Sequence, residues 1–282
     1  MTSDPASPPP RNPVKVMGVI NMTPDSFSGG GRLGDLPEAI LAARRMIADG
    51  ADMLDIGGES TRPGASAVDA GLEIDRVVPL IRAIRAESAI PISVDTMKPA
   101  VARAAAQAGA TIWNDVTALR HAPDSLSTAA ELGCEVVLMH MQGEPATMQA
   151  EPRYADVVAE VAGFLAARAE AAMAAGVARR RIWLDPGIGF GKHMIRHNLP
   201  LLAGLDRIVA LGFPVLLGVS RKSFIGALDG GGRRSPHERL GGSIAGALAG
   251  AAAGIAAVRV HDVRETVQAL RVWAAIGRGG AD

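Results

Sequence analysis

Residues 214–223 read Pro-Val-Leu-Leu-Gly-Val-Ser-Arg-Lys-Ser, an apolar run of strand length that stops at a cluster of polar, chemically versatile side chains. Seven more runs follow the same pattern. Residues 14–20 end at Asn21, 53–56 end near Glu59, 91–94 end at Asp95 and 111–113 end at Asn114. Residues 136–139 end at His140, 182–184 at Asp185 and 257–260 at His261. Turn residues bound each run, and a helix-length segment separates it from the next. That alternation predicts eight parallel strands, and eight βα units close most simply into a single (β/α)8 TIM barrel. In that fold the catalytic groups project from the carboxyl ends of the strands, where these polar residues fall.

Helix signals fill the gaps. Asp35-Leu36-Pro37-Glu38 offers a cap shortly before a helix running through Asp49, and Gly50 stops it. Helices are expected over 69–87, 99–107, 124–132, 154–175, 197–211, 236–253 and 262–276. The apolar tract 244–258 contains Gly246, Gly250 and Gly254 and is shorter than the roughly 20 residues of a membrane span. It reads as a closely packed helix running into the eighth strand.

The chain has 282 residues, close to the about 250 typical of one such barrel. No linker divides it, so residues 14–282 are read as one catalytic domain. Residues 1–13, with five prolines and no apolar run, are read as a disordered tail. Lys and Arg total 29 and Asp and Glu total 29, a balance that argues against a nucleic-acid partner while leaving room for a local anion site. The single Cys134 excludes an internal disulfide and reads as a small core residue. With a polar, proline-rich N-terminus and no membrane-length segment, a cytoplasmic protein is expected.

The strand tips carry the chemistry. Residues 21–28, Asn-Met-Thr-Pro-Asp-Ser-Phe-Ser, run into Gly29-Gly30-Gly31 and have either the composition of a mobile lid or that of an ordinary glycine-rich turn. Glu59-Ser60-Thr61-Arg62-Pro63-Gly64 combines a carboxylate, hydroxyls and an arginine suited to a polar or anionic ligand, although Arg62 alone reads equally as a solvated loop residue. Asp95, Asn114 and Asp185 at three tips suit a planar heterocycle with adjacent N–H donors, since a carboxylate accepts two parallel N–H bonds. Divalent-metal ligation is the competing reading of the same hard oxygens. Residues 185–192, Asp-Pro-Gly-Ile-Gly-Phe-Gly-Lys, resemble a phosphate loop, but no Ser or Thr follows Lys192 and the pattern fails. Its glycines instead suit a backbone passing close to a flat ligand, with Phe190 as a wall. Ser220-Arg221-Lys222-Ser223 places two cations at the mouth, and Arg259 and His261, two apart, point the same way. The loops after strands seven and eight are a frequent phosphate site of this fold. His140 has no partner for a triad and reads as structural.

Taken in order, 21–28, 57–64, 93–96, Asn114-Asp115, 138–143, 185–192, 220–223 and 259–263 resemble the dihydropteroate synthase family, across about residues 14–277. The resemblance implies a pterin-binding barrel that joins 6-hydroxymethyl-7,8-dihydropterin diphosphate to p-aminobenzoate, giving 7,8-dihydropteroate and diphosphate. It implies that Asp95, Asn114, Asp185 and Lys222 hold the pterin, that Met139 and Phe190 line its pocket and that Arg259 stacks on the ring. Arg259, His261 and Asn21 would bind diphosphate, with Mg²⁺ contacted by Asn21. Thr61, Arg62 and Pro63 would close over p-aminobenzoate, whose carboxylate would meet Ser223. Asp95, Lys222, Arg259, His261 and Arg62 are the implied catalytic set, and a homodimer packing through its last helices is implied as well. One departure is that Gly29 stands where the family commonly has an acidic residue. A methyltetrahydrofolate–corrinoid methyltransferase and a non-catalytic pterin-binding protein are the alternatives. The first would not need residues 220–223 or Thr61-Arg62-Pro63, and the second would have lost Asn21, Arg259 and His261.

Overall fold

The computed structural model describes residues 14–23, 36–60, 67–144, 147–230 and 235–277. The proline-rich segment 1–13, most of the first loop with Gly29, and Thr61, Arg62 and Pro63 lie outside the described residues. Eight strands appear where the apolar runs are: β1 Lys15–Asn21, β2 Met53–Gly57, β3 Ile92–Asp95, β4 Ile112–Asp115, β5 Glu135–Met139, β6 Ile182–Asp185, β7 Leu216–Leu217 and β8 Ala257–Val260. All pairings are parallel, in the order β6-β5-β4-β3-β2-β1-β8-β7. A parallel bridge between Leu184 and Val215 joins the two outer strands and closes the barrel. β7 is shorter than its apolar run. Pro214 has no N–H to give and serves only as acceptor, from Leu184 N at 2.9 Å.

Period-two alternation sorts each strand. Leu54, Ile56, Ile92, Val94, Leu138, Leu184 and Val258 face outward into the helix layer and form one core. Met17, Met53, Ile112, Val137, Trp183, Leu216 and Ala257 face inward and plug the barrel's lower interior. Two residues further along, the same inward face carries Asp55, Asn114, Met139, Asp185 and Arg259. A dry apolar floor therefore lies under a polar mouth.

The helices follow their local signals. α1 is Leu36–Ala48 and α2 Ala70–Glu87, the latter capped by the Asp69 carboxylate, which accepts from Leu72 N. α3, Pro99–Ala108, has proline in its first turn and ends at Gly109 with φ 113°. α4 is Ser125–Leu132, and α5, Val157–Ala174, starts three residues later than expected because Asp156 caps Val158 N and Ala159 N. The helix expected over 197–211 is two, α6 Asn198–Ala203 and α7 Leu205–Val209. They break at Gly204, whose missing side chain lets the backbone rest on Val158, only 2.9 Å from where a Cβ would sit. A short α8, Ser223–Leu228, follows β7. A 3₁₀ turn, Pro236–Arg239, precedes α9 Leu240–Ala253, and α10 is Val263–Gly277.

Two helical glycines make opposite demands. A Cβ on Gly163, in α5, would meet nothing within 4 Å, whereas one on Gly250, in α9, would fall 2.5 Å from Leu217 and 2.6 Å from Ile255. Gly163→Ala is expected to stabilise the protein by about 0.5–1 kcal/mol through helix propensity alone. Gly250→Ala is expected to lose that gain to overpacking of about 1–3 kcal/mol. Paired urea titrations check the contrast, and equal stabilisation by both variants would contradict the close packing of α9 on the barrel.

Candidate active site

The inward polar ring is organised by one arginine. Arg259 Nε donates to Asp55 Oδ2 at 2.6 Å, and its Nη2 donates to Asp95 Oδ2 at 2.8 Å. Asn114 Nδ2 lies 3.4 Å from the same Asp55 oxygen. Burial disfavours the Arg259 charge, but the Asp55 and Asp95 carboxylates more than offset this and hold its pKa above the usual arginine value. Burial pushes the Asp95 carboxyl up to about 7; Arg259 opposes the shift, while Asp55, Glu73 and Asp115 add to it. Asp185 is raised by burial too, against the opposing pull of the Gly187 N–H at 2.7 Å, Lys222 and Arg259. Asp95, Asn114, Asp185, Lys222 and Arg259 thus share one mouth. Asn21 ends β1 directly beside Gly57 and across from Asp95.

One wall of that mouth is apolar. Met139 and Phe190 belong to a single cluster with Val116, Met141, Met148 and Met97. Lys222 Nζ lies 4.3 Å from the Phe190 ring centroid, placing the cation against that wall. Ser223 is the exposed first residue of α8, next to Lys222.

His261 sits beside Arg259 on the rim. Its Nδ1 is 3.0 Å from Ser220 Oγ, which also accepts the His261 backbone N–H at 3.2 Å. Burial, helped by the charges of Arg259 and Arg221, lowers the His261 pKa to about 3, so the ring is neutral at physiological pH.

Several residues of the sequence motifs do different work from that expected. Arg221 is not a ligand-facing cation: it forms a two-bond pair with Asp262, Nε–Oδ2 at 3.0 Å and Nη2–Oδ1 at 2.5 Å, and so ties the β7 loop to the β8 loop. Its φ of 59° turns the chain there, and its backbone N–H is held by Ser243 Oγ. Glu59 is likewise engaged, accepting from Lys98 Nζ at 2.6 Å and from Val68 N at 2.8 Å, while Lys98 also reaches the fully buried Glu73 at 2.7 Å. The two ends of the loop that carries Thr61, Arg62 and Pro63 are therefore stitched together at its base.

Lys192 is 1% exposed and folds back onto its own loop. Its Nζ meets three close acceptors, Gly187 O at 2.9 Å, Phe190 O at 3.0 Å and His140 Nδ1 at 2.9 Å, with His140 O a fourth at 3.4 Å. Burial lowers its pKa. The loop's glycines serve the same junction: a Cβ at Gly187 would lie 1.9 Å from His140 O, and one at Gly191 would lie 2.3 Å from Gln142 O. The closest approach is to the neighbouring β5 loop, while Gly187 also backs onto Met139 and Gly189 onto Lys222. His140 is structural, as its missing triad partner suggested. Its ring packs edge-on to Phe164, and burial with the nearby Lys192 charge lowers its pKa to about 3.

Asp55 escaped the sequence reading because it sits inside an apolar run rather than at its end. The signal was parity: Asp55 shares its strand face with the inward Met53 and Gly57.

Comparison with known proteins defines the class. The family model described as pterin binding enzyme matches residues 17–261. The chain is 49% identical over 257 residues to the dihydropteroate synthase of Escherichia coli strain K12, covering 91% of this chain and 89% of that protein. A Xanthomonas albilineans dihydropteroate synthase solved with 4-aminobenzoic acid superposes with TM-score 0.87 at 50% identity, over 93% of both chains. The enzyme from the same organism in complex with 7,8-dihydropteroate gives TM-score 0.84 at 48% identity, again over 93% of both. A parallel barrel with this polar mouth is thus a pterin-binding enzyme. Within that class, the chain belongs to the dihydropteroate synthase family, and it is a transferase.

Two expectations follow from the buried cations and imidazoles. Lys192→Met strands three acceptors in the interior and is expected to cost about 3 kcal/mol or more, read as a lowered urea midpoint. Both His140 and His261 have folded pKa values of about 3, against 6.5 when unfolded. The unfolded chain therefore binds their protons first, so these two residues favour unfolding as pH falls below 6.5. Ring ¹⁵N shifts of both histidines should stay in the neutral range from pH 8 to about 5. A midpoint near 6.5 for either would contradict its burial.

Proposed function

We propose that this chain joins 6-hydroxymethyl-7,8-dihydropterin diphosphate to p-aminobenzoate, releasing diphosphate and forming 7,8-dihydropteroate, at the mouth organised by Arg259. The observation that carries the assignment of residues is the convergence of Asp95, Asn114, Asp185 and Lys222 around that guanidinium above an apolar floor. The Xanthomonas complexes with 4-aminobenzoic acid and 7,8-dihydropteroate support the same substrate and product classes here. A corrinoid methyltransferase reading has no counterpart in these relatives.

In this reading Asp95, Asp185 and Asn114 bind the donor-rich edge of the pterin, Lys222 meets its acceptor edge, and Met139 and Phe190 cover its face. The guanidinium plane of Arg259 lies along the ring. The carbon–oxygen bond between the pterin methylene and diphosphate breaks first. A desolvated carboxylate with a raised pKa gains much from a nearby positive charge, so Asp95 favours the electron-deficient pterin left behind. Arg259 and the neutral His261 ring donate to the departing diphosphate, and such preorganised donors commonly supply the largest catalytic effect. The amine of p-aminobenzoate, placed by Thr61, Arg62 and Pro63 with its carboxylate at Ser223, then attacks the methylene, and the new C–N bond's nitrogen gives up one proton to solvent.

Asn21 suits the part of a Mg²⁺ ligand. Its amide oxygen is a hard donor, 3.4 Å from where a Gly57 Cβ would sit. Among the described residues, no group of three or more His, Cys, Asp or Glu side chains is arranged to hold a metal ion. A single neutral oxygen from the protein, with substrate phosphates and water supplying the rest, matches the habit of Mg²⁺. The ion would supply charge neutralisation at the diphosphate.

The homodimer belongs to the same reading. An apolar groove of about 410 Å³ between α9 and α10 is lined by Ile244, Leu248, Val272, Trp273 and Ile276. Val272 and Ile276 are 56% and 74% exposed, a face suited to a second copy of the chain. The cytoplasm is the proposed compartment. Among the described residues, no helix is long and apolar enough to cross a membrane.

The deciding experiment is diphosphate release by the purified protein with Mg²⁺ and the pterin diphosphate, with and without p-aminobenzoate, and with the product identified by mass. Dihydropteroate formation dependent on p-aminobenzoate is expected, and its absence would overturn the assignment. In the same assay series, Asp185→Asn or Lys222→Ala should weaken pterin binding by about 1–3 kcal/mol or more. Unchanged affinity would remove that residue from the pocket.

A further inference from the structure

Asp55 is fully buried and lies on β2, one inward position deeper than Gly57. In strand register Asp55 faces Ser93, while Gly57 faces Asp95, so Asp55 occupies the layer beneath Asp95. One of its oxygens, Oδ2, collects donors from two distant strands, Arg259 Nε of β8 at 2.6 Å and Asn114 Nδ2 of β4 at 3.4 Å. No ligand at the mouth meets this oxygen first, because Asp95 and Arg259 lie above it.

A guanidinium held by one hydrogen bond can swing about it, whereas two bonds to separate acceptors fix its plane. Arg259 has such a pair, one acceptor in the deep layer and one at the rim. The rim acceptor, Asp95, is also a proposed pterin ligand, so its carboxylate is shared with substrate. Oδ2 of the deep acceptor is taken up by two protein donors, while its Oδ1 is buried with no hydrogen-bond partner among the described residues. From this arrangement we propose that Asp55 is a positioning residue for the pterin site: it fixes the plane of Arg259 before substrate arrives, without touching substrate itself. The proposal rests on the pterin-site reading above.

A prediction distinguishes this role from a merely structural one. If Asp55 acts through Arg259, its removal matters only while Arg259 is present. Binding of 7,8-dihydropteroate is measured by calorimetry for the parent, Asp55→Leu, Arg259→Met and the double variant. Asp55→Leu, nearly isosteric and without an acceptor, should weaken binding by about tenfold or more in the parent. In the Arg259→Met background the same change should cost less than about twofold. Asp55→Asn keeps an acceptor oxygen and should recover part of the loss. Equal losses in both backgrounds, or no loss in the parent, would overturn the inference.

Should the leucine variant fail to fold, the asparagine variant runs the same cycle, and the parent protein supplies an independent readout. The Arg259 Nε–H resonance should exchange slowly with solvent both with and without dihydropteroate, since its partner lies below the ligand. Rapid exchange in the free protein would overturn the claim that the plane is fixed in advance. A parent that binds no dihydropteroate would overturn the functional reading itself, whereas parent binding with additive losses overturns only the role of Asp55.

Discussion

Arg259 is a charge that the barrel interior cannot leave unpaired, and the arrangement of the mouth follows from how it is paired. It lies on β8, while its acceptors lie on β2 and β3. In the sheet order β3-β2-β1-β8, three strand spacings of about 4.8 Å separate β8 from β3. No arginine side chain spans that distance along a flat sheet. Barrel curvature brings the strands face to face across the interior, and only then does one guanidinium meet both carboxylates. Breaking such a buried pair is costly because the remaining charge has no water to turn to. The pairing therefore constrains where Asp55, Asp95 and Asn114 can stand, and with them the shape of the pocket.

Other cations near the mouth are spent on the frame. Lys192 closes the β6 loop onto His140, Lys98 joins Glu59 to Glu73, and Arg221 clamps Asp262. Each replaces backbone or carboxylate hydration with a fixed bond, so the loops that carry Phe190 and Lys222, and the base of the loop carrying Arg62, keep a defined geometry. Lys222 lies against the Phe190 wall, and Arg259 is held between Asp55 and Asp95.

The neutral state of His261 bears on the chemistry as well. Arg259 and Arg221 nearby, together with burial, keep a second cation from forming beside the guanidinium. The rim thus carries one fixed charge and one neutral imidazole near neutral pH. Asp95 behaves in the opposite sense, its carboxyl raised by the same burial.

Strands, their inward faces and the polar tips were legible in the sequence because each depends on local pattern. A strand shows its period of two within five residues, and a tip is marked by the end of an apolar run. Asn21, Asp95, Asn114 and Asp185 were found that way, and Arg259 by its two-residue spacing from His261. The division of helix 197–211 at Gly204 was not, because the cause is Val158, more than forty residues away. Likewise the residues 220–223 contain two cations that look equivalent in sequence. Asp262 claims one of them only once the β7 and β8 loops lie side by side. Lys192 fails the phosphate-loop pattern in sequence, and its own role shows only once the His140 loop folds over it. The sequence by itself determined which side chains point into the barrel. Only the tertiary structure decided which of them meet, since the partner of a buried charge is set by the closing of the sheet and not by its neighbours in the chain.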